Sequence, residues 1–321
     1  MSSSTSLASA LGNGLRKLVG KPARPSGYRV FDVQLKAIIR LSPSLSRFVF
    51  SGDDVAQMHT LAADQRIKIF FPGANGQPPQ LPKQGSWQEA RRGLDAQSSP
   101  PMRTYTIRAL RREALEVDVD FVLHGANGPA SAWATQARIG DCLQMVAPNL
   151  VYRGDPGGYE WKLPQAVKRV LLVGDETALP AIGGILEQLA ETQPELPVEA
   201  FIEVPLQADC LALSHSPATH LHWLPRNLLR CDHGHAMSHA VRELATLPST
   251  VAPAAVKLEE VDIEQRILWE LASGESNEFY AWVAGESATV MDIRRYLIKE
   301  RGLDRNSLTL MGYWRAGRSF E

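Results

Sequence analysis

The sequence predicts two domains, an antiparallel β-barrel followed by an α/β domain built on a parallel sheet, and two observations predict it. From Tyr28 to Val146 the chain is written mostly in short strands, some alternating apolar and polar residues, with one short helix among them. That is the pattern of a small antiparallel barrel. From Lys168 onward strands alternate with helices, and the first strand is continuously apolar, as in a parallel sheet with crossover connections. A length of 321 residues suits two ordinary domains better than one.

Residues 1–25 are Ser-rich and then basic (Arg16, Lys17, Lys21, Arg24) with no continuous apolar run. They are expected to form a disordered N-terminal arm rather than a signal peptide. The barrel is assigned to residues 26–155, with strands at Tyr28–Ile39, Arg47–Phe50 and Arg66–Phe71. A Pro/Gly/Gln-rich loop from Pro72 to Pro101 follows, long enough to be functional or mobile. Strands are then expected at Arg103–Leu110 and Leu115–Leu123. In the second of these, Leu115, Val117, Val119 and Phe121 form one face and Glu116, Asp118 and Asp120 the other, which predicts a half-buried strand. A helix over Pro129–Ala137 and a strand over Cys142–Val146 complete the unit.

The join falls in the Gly/Pro-rich segment Gly154–Pro164, and the second domain is assigned to residues 160–321. Its expected order is strand Lys168–Val173, Gly174, helix Thr177–Leu189 and strand Val198–Val204. Strand Phe279–Val283, Gly285, helix Ala288–Glu300 and strand Ser307–Tyr313 follow. The Pro/Ala-rich segment Leu247–Val261 is assigned to no element.

Composition narrows the function. Hydrophobic residues are 44% and charged residues 21%, with a formal net charge of −1, so nothing in the total calls for nucleic acid. Cys142, Cys210 and Cys231, with no Cys-x-x-Cys, are too few for an iron–sulfur cluster and do not make a disulfide scaffold. No run of about eighteen apolar residues predicts a membrane span, and a reducing cytoplasm is the default compartment.

The chemistry concentrates in Arg103-Thr104-Tyr105-Thr106-Ile107-Arg108 and in Gly128-Pro129-Ala130-Ser131-Ala132-Trp133. Arg103 offers a phosphate a fixed fork of donors. Tyr105 offers a ring and a hydroxyl to a flavin edge, and Thr106 a small hydrogen-bonding group for the reactive ring nitrogen. Gly128, Ala130 and Ser131 lack bulk, so phosphate oxygens can approach a helix start whose proline sacrifices no donor. A flavin dinucleotide is the first hypothesis. In the second half, the turn Gly174-Asp175-Glu176-Thr177 after a buried strand, and Gly285-Glu286 after another, mark a ligand crevice at the carboxyl end of a parallel sheet. It lacks Gly-x-Gly-x-x-Gly, and two acidic residues at the turn repel a phosphate placed directly there, so an acidic helix cap stands beside cofactor contact as a reading.

Together these segments resemble the siderophore-interacting, flavin-dependent ferric reductases, a branch of the ferredoxin–NADP reductase superfamily. The matching residues, in family order, also include Asp118–Gly125, Gly174–Ala181, Trp282–Glu286 and Gly312-Tyr313-Trp314-Arg315. The resemblance implies an FAD-binding barrel, a nicotinamide-binding α/β domain, and His124 beside the cofactor. It also implies an NAD(P)H-dependent ferric-siderophore reductase. NADPH and NADH both remain open as donors, and ferredoxin as an alternative donor. Lys68 falls on a lysine position typical of the family and Arg315 in the Gly-Tyr-Trp-Arg element. These two, with Arg318, are the cations expected at an anionic ferric siderophore. Two other readings stand beside this one: a general NAD(P)H:acceptor diaphorase, and a non-enzymatic carrier of iron complexes or metal.

Six histidines fall between His215 and His239. His220 and His222 on a strand, and His235 and His239 on a helix, have metal-ligand spacing. The segment resembles no zinc motif, and no resident metal is expected; a polar surface loop is the simpler reading.

Overall fold

The computed structural model describes residues 26–123, 128–249, 267–273 and 278–317. The expected N-terminal arm lies outside them, as do His124 and Arg318. The first sheet contains β1 (Tyr28–Arg40), β2 (Leu45–Ser51), β3 (Arg66–Phe70), β4 (Met102–Thr106), β5 (Ala109–Arg111), β6 (Glu116–Val122) and β7 (Cys142–Pro148). Its order is β4-β3-β7-β1-β2-β6-β5, and every pair is antiparallel. The two ends of that order are consecutive in the chain. Between them Ile107 N donates to Gln65 O (2.9 Å) and Arg108 N to Asp118 O (2.9 Å), so one bent strand carries the sheet from edge to edge and closes it. Alternation supplies the filling: Phe31, Phe48, Phe50, Ile67, Ile69, Val119, Phe121 and Met145 are buried inside.

Two expectations about this unit change. The strand after Leu115 is not half-exposed, because Asp118 and Asp120 are 4% and 5% exposed. Arg111 reaches Asp118 (2.9 Å) and Arg47 reaches Asp120 (2.7 Å), and burial of these carboxylates is tolerated because each is paired. Leu115 precedes that strand with a φ of 56°. The Pro72–Pro101 segment carries structure of its own, helix α1 (Trp87–Arg92), whose Ser86 caps the N–H of Glu89 (3.2 Å).

Helix α2 (Pro129–Ala134) lies between β6 and β7. The second sheet contains β8 (Arg169–Gly174), β9 (Val198–Val204), β10 (Thr219–Pro225), β11 (Trp269–Glu270), β12 (Phe279–Glu286) and β13 (Leu308–Trp314). The order β10-β9-β8-β12-β13 is parallel throughout, and β11 adds an antiparallel edge that the sequence does not announce. Helices α3 (Leu179–Thr192), α4 (Arg226–Leu229), α5 (His235–Glu243) and α6 (Ser287–Arg295) cover it. Helix α3 starts two residues later than expected because Thr177 N donates to Asp175 Oδ1 (2.9 Å), a side-chain turn that holds the preceding chain out of the helix. Helix α6 runs on as a wider, π-type turn at Tyr296–Glu300.

Buried polar clips dock the two sheets. Asp64, 1% exposed, accepts from Glu160 N (2.8 Å) and Trp161 N (2.9 Å). Asp209 accepts from Ser42 Oγ (2.7 Å) and Ser44 N (2.9 Å). Arg108 forms a two-pronged pair with Glu187 on α3. Backbone contact is close as well, since a Cβ on Gly184 would lie 3.2 Å from Ala63 Cβ.

Candidate functional site

The outer wall and the mouth of the barrel are read from one register. Ile67 pairs with Tyr105 and Ile69 with Arg103, so Arg103 and Tyr105 sit on the inner side of β4. Arg66 pairs with Thr106 and Lys68 with Thr104, which places those four on the outer side. Tyr105 is half-buried with its ring edge-on to Phe121 at 4.2 Å, and burial pushes its hydroxyl pKa up. Phe121 also meets Trp133 of α2 at 6.0 Å, and Trp133 packs on Phe48 (5.5 Å) and Phe71 (5.5 Å). One phenylalanine therefore brings together the two segments singled out in the sequence, Arg103–Thr106 and Gly128–Trp133.

The start of α2 is open. Gly128 has φ 83°, and a Cβ there would meet nothing within 4 Å. The first N–H to reach back into the helix is that of Ala132, to Gly128 O (3.0 Å). The N–H groups of Ala130 and Ser131 lie ahead of it, and Pro129 has none. Arg103 directs one nitrogen to Met102 O (2.7 Å). Backbone donors, an arginine fork and an aromatic ring fit a planar group with a diphosphate tail, whereas the register sets the buried Thr106 on the opposite face of β4.

The crevice of the parallel sheet is built differently. Strand order reverses between β8 and β12, the switch point where α/β sheets open toward ligands. Gly174 ends β8, and Gly285 is the last residue but one of β12. Side chains have no room there, because a Cβ on Gly285 would lie 2.7 Å from Asp175 Oδ2, and one on Gly174 2.6 Å from Ala178 Cβ. Asp175 is fully buried and accepts from Thr177 N (2.9 Å), Glu286 N (3.0 Å) and Trp314 Nε1 (2.8 Å). Burial opposes its charge, but His233 at 3.5 Å and these donors hold its pKa below the usual value. Glu286 caps α6 through Ala288 N (2.7 Å) and Thr289 N (3.0 Å). Glu176 takes both prongs of Arg226 (2.8 and 3.0 Å), which also reaches Glu203 (3.1 Å).

Sequence reasoning marked Asp175, Glu176 and Glu286 as crevice residues and missed the partners that engage them. Arg226 and His233 lie in a stretch with no recognisable motif. From sequence alone Trp314 fits core somewhat better than packing near the cofactor, yet it is half-buried and donates to Asp175.

The two candidate substrate cations among the described residues lie on different domains. Lys68 lies on the barrel's outer wall beside Thr104 (3.4 Å), and Arg315 follows β13. His220 and His222 are exposed on β10, and His235 and His239 are exposed on α5. Among the described residues, no group of three or more His, Cys, Asp or Glu side chains could hold a metal ion. Among them, too, no helix is long and apolar enough to cross a membrane.

Comparison with known proteins agrees with this geometry in both halves. Residues 34–152 match the family model described as a siderophore-interacting FAD-binding domain, and residues 167–317 match that of a siderophore-interacting protein. The chain is 26% identical over 294 residues to ferric vibriobactin reductase ViuB of Vibrio cholerae, covering 91% of each. It is 26% identical over 293 residues to an NADPH-dependent ferric-chelate reductase of Escherichia coli, covering 90% of this chain and 94% of the other. The crystal structure of the siderophore-interacting protein SipS from Aeromonas hydrophila superposes with a TM-score of 0.64 at 28% identity, covering 91% of this chain and 93% of that one.

Proposed function

Because the chain belongs to the siderophore-interacting protein family, we propose that it is an FAD-dependent reductase of ferric siderophores, with NADPH or NADH as donor and ferredoxin as the alternative. Residues 26–155 form the FAD-binding barrel and residues 160–321 the nicotinamide domain, preceded by an arm over residues 1–25. The observation that carries the reading is the meeting on Phe121 of Tyr105, from the Arg103–Thr106 strand, and Trp133, from the helix whose start is open.

When bound, FAD supplies the exchange between a donor that gives two electrons as a hydride and ferric ions that take one each. The balance is one NAD(P)H and two ferric ions giving NAD(P)⁺, two ferrous ions and a proton. Hard oxygen ligands hold ferrous iron less well than ferric, so reduction loosens the chelate.

The chain's own residues bind and orient. Arg103 and the N–H groups of Ala130 and Ser131 hold the diphosphate, and Gly128 keeps the approach clear. Tyr105 would flank the ring system, and Thr106, the last residue of β4, would offer its hydroxyl to the reactive nitrogen from the end of the strand. His124, outside the described residues, is proposed at the same cofactor. The nicotinamide enters at the switch point between the Gly174–Thr177 turn and Gly285-Glu286. There the acidic side chains act as scaffold and the backbone makes the approach. Lys68, Arg315 and Arg318, the last also outside the described residues, face the anionic chelate.

The test is anaerobic stopped-flow on the purified protein. NADPH or NADH bleaches the flavin absorbance, and a ferric siderophore restores it faster than simple ferric complexes do. A protein that carries no flavin and takes none up would overturn the proposal. So would a bleached flavin that ferric siderophores leave bleached.

A further inference from the structure

The register of β3 and β4 gives the proposed cofactor a direction. Thr106 stands opposite Arg66 and Arg103 opposite Ile69, so the step from ring partner to diphosphate partner runs toward the Phe71 end of β3. The pairing extends one residue further, through Phe71 N to Pro101 O (2.9 Å), before Pro72 opens the long loop. At that end of the barrel lies a cavity of about 530 Å³, within the roughly 300–1,000 Å³ usual for small-molecule sites. Its walls come from three places: Pro72 and Gly76 of the loop, Trp133 and Gln136 from α2 and just beyond it, and Arg138 and Asp141 ahead of β7.

These walls are held in place. Trp133 is half-buried with its back on the core, 5.5 Å from Phe48 and 5.5 Å from Phe71, and the cavity meets the rest of its ring. Asp141 Oδ2 accepts from Arg138 N (2.9 Å), closing a turn on itself. Leu35 N donates to Asp141 O (2.8 Å) and Gly140 N to Leu35 O (2.8 Å), which fixes that turn to β1. Gly76, with a φ of 70°, donates its N–H to Gly73 O (2.9 Å), and a Cβ on it would meet nothing within 4 Å. Further along the loop, Leu81 exchanges two hydrogen bonds with Gln144 (2.6 and 3.1 Å). Among the described residues the Gln136 amide and the Arg138 guanidinium engage no partner, and both residues are exposed.

Such a set suits a purine better than a further phosphate. An aromatic face and a guanidinium plane are surfaces on which a base stacks. A glutamine amide can pair with N6 and N7 of adenine together. Arg138 alone would also suit an anion, but Asp141 lines the same cavity and opposes one. We propose that this cavity holds the adenosine half of the dinucleotide and that Arg138 and Gln136 select FAD over FMN, an assignment that rests on the FAD reading above. Neither residue belongs to the segments that mark the flavin site in the sequence, which end at Trp133.

The test titrates the flavin-stripped full chain with FAD and with FMN and follows flavin fluorescence. The parent binds FAD the more tightly. In Arg138→Ala the dissociation constant for FAD rises about tenfold, the scale of one lost stacking partner, and that for FMN stays where it was. Gln136→Ala raises the FAD constant about threefold, as loss of a neutral hydrogen bond does, again without moving FMN. Arg138→Lys recovers part of the loss, since it keeps the charge but not the plane. Equal rises for both flavins, or an FAD constant unchanged in Arg138→Ala, overturn the inference. Binding decides it without turnover. A chain that takes up neither flavin overturns the flavin reading as well, whereas one that binds FAD and FMN equally overturns this inference alone. Both residues are exposed, and thermal midpoints of the stripped variants equal to the parent's exclude a folding cause.

Discussion

The barrel mouth and the sheet crevice were both marked in the sequence by small residues beside charged ones, and they use those residues in opposite ways. At the barrel mouth the open groups are backbone donors and a glycine edge, and the aromatic side chains beneath them hold the scaffold. At the crevice the charged side chains are the scaffold. Asp175 joins the ends of β8, β12 and β13, Glu176 and Glu203 share Arg226, and Glu286 caps its own helix. The acidic residues of the crevice are engaged by the protein's own donors, whereas the N–H groups at the start of α2 are not engaged within their helix.

That contrast is broken most directly at Asp175. Its removal leaves the N–H groups of Trp314, Glu286 and Thr177 without an acceptor in a buried place. Asp175→Ala should therefore cost about 3–5 kcal/mol of stability, as loss of a buried charged partner does. Urea unfolding with and without added nicotinamide dinucleotide checks it. A variant as stable as the parent but unable to be reduced by NAD(P)H would move Asp175 from scaffold to ligand contact.

At the barrel the expected effect is smaller and of another kind. Arg103→Ala should weaken FAD retention about 10- to 100-fold, the scale of a lost charged hydrogen bond. Unfolding of the flavin-free protein should change little. Flavin content after dialysis and titration of the stripped protein with FAD measure this. Unchanged affinity would remove Arg103 from the proposed diphosphate site.

The sequence was legible where local periodicity and burial agree. Strand Val198–Val204 falls where its apolar run places it, and the Arg103–Arg108 and Gly128–Trp133 segments converge as their chemistry suggests. It was less legible where partners are distant in the chain. Asp120 read as part of a solvated face because its partner Arg47 is more than seventy residues away, and Asp118 because alternation alone does not show that Arg111 folds back onto it across the β5–β6 turn. The closing of the barrel depends on one bend at Ile107–Arg108 that no turn residue announces. Arg226 escaped notice for a related reason: it pairs with Glu176 and Glu203, which only folding brings to it.

The docking of the two sheets offers a milder test of the same contrast. Glu187 on α3 engages Arg108 at the end of the barrel motif, and Arg108 lies 3.9 Å from Asp120 as well. Glu187→Ala should cost about 1 kcal/mol or less, because Glu187 is partly exposed and Arg108 keeps Asp120. Calorimetry would read it as a small shift of the transition. A large loss, or splitting into two transitions, would show that this pair carries the docking that the Asp64 and Asp209 clips are expected to carry.

The smallest effect lies at His233, whose imidazole stands edge-on to Trp314 at 5.0 Å. The carboxylates that face it are Asp175, Glu176 and Glu203, and the last two also pair with Arg226. Burial pulls its pKa down, but Asp175 at 3.5 Å and Glu176 at 3.8 Å outweigh burial and raise it above the usual value near 6.5. A raised pKa means that the folded state binds this proton more tightly than the unfolded chain. The stabilisation is therefore complete below about pH 6.5 and is lost as pH rises through the folded value. The depressed pKa of Asp175 acts in the opposite sense, since its contribution fades only as pH falls through its folded value, well below this window. The stability gap between the parent and His233→Gln should be on the order of 1 kcal/mol or less, widest on the acidic side of neutrality and closing toward alkaline pH. Urea midpoints from about pH 5 to 9 would measure it. A gap that is flat, or that widens toward alkaline pH, would mean that His233 remains neutral beside two carboxylates, contrary to its role as their charged partner.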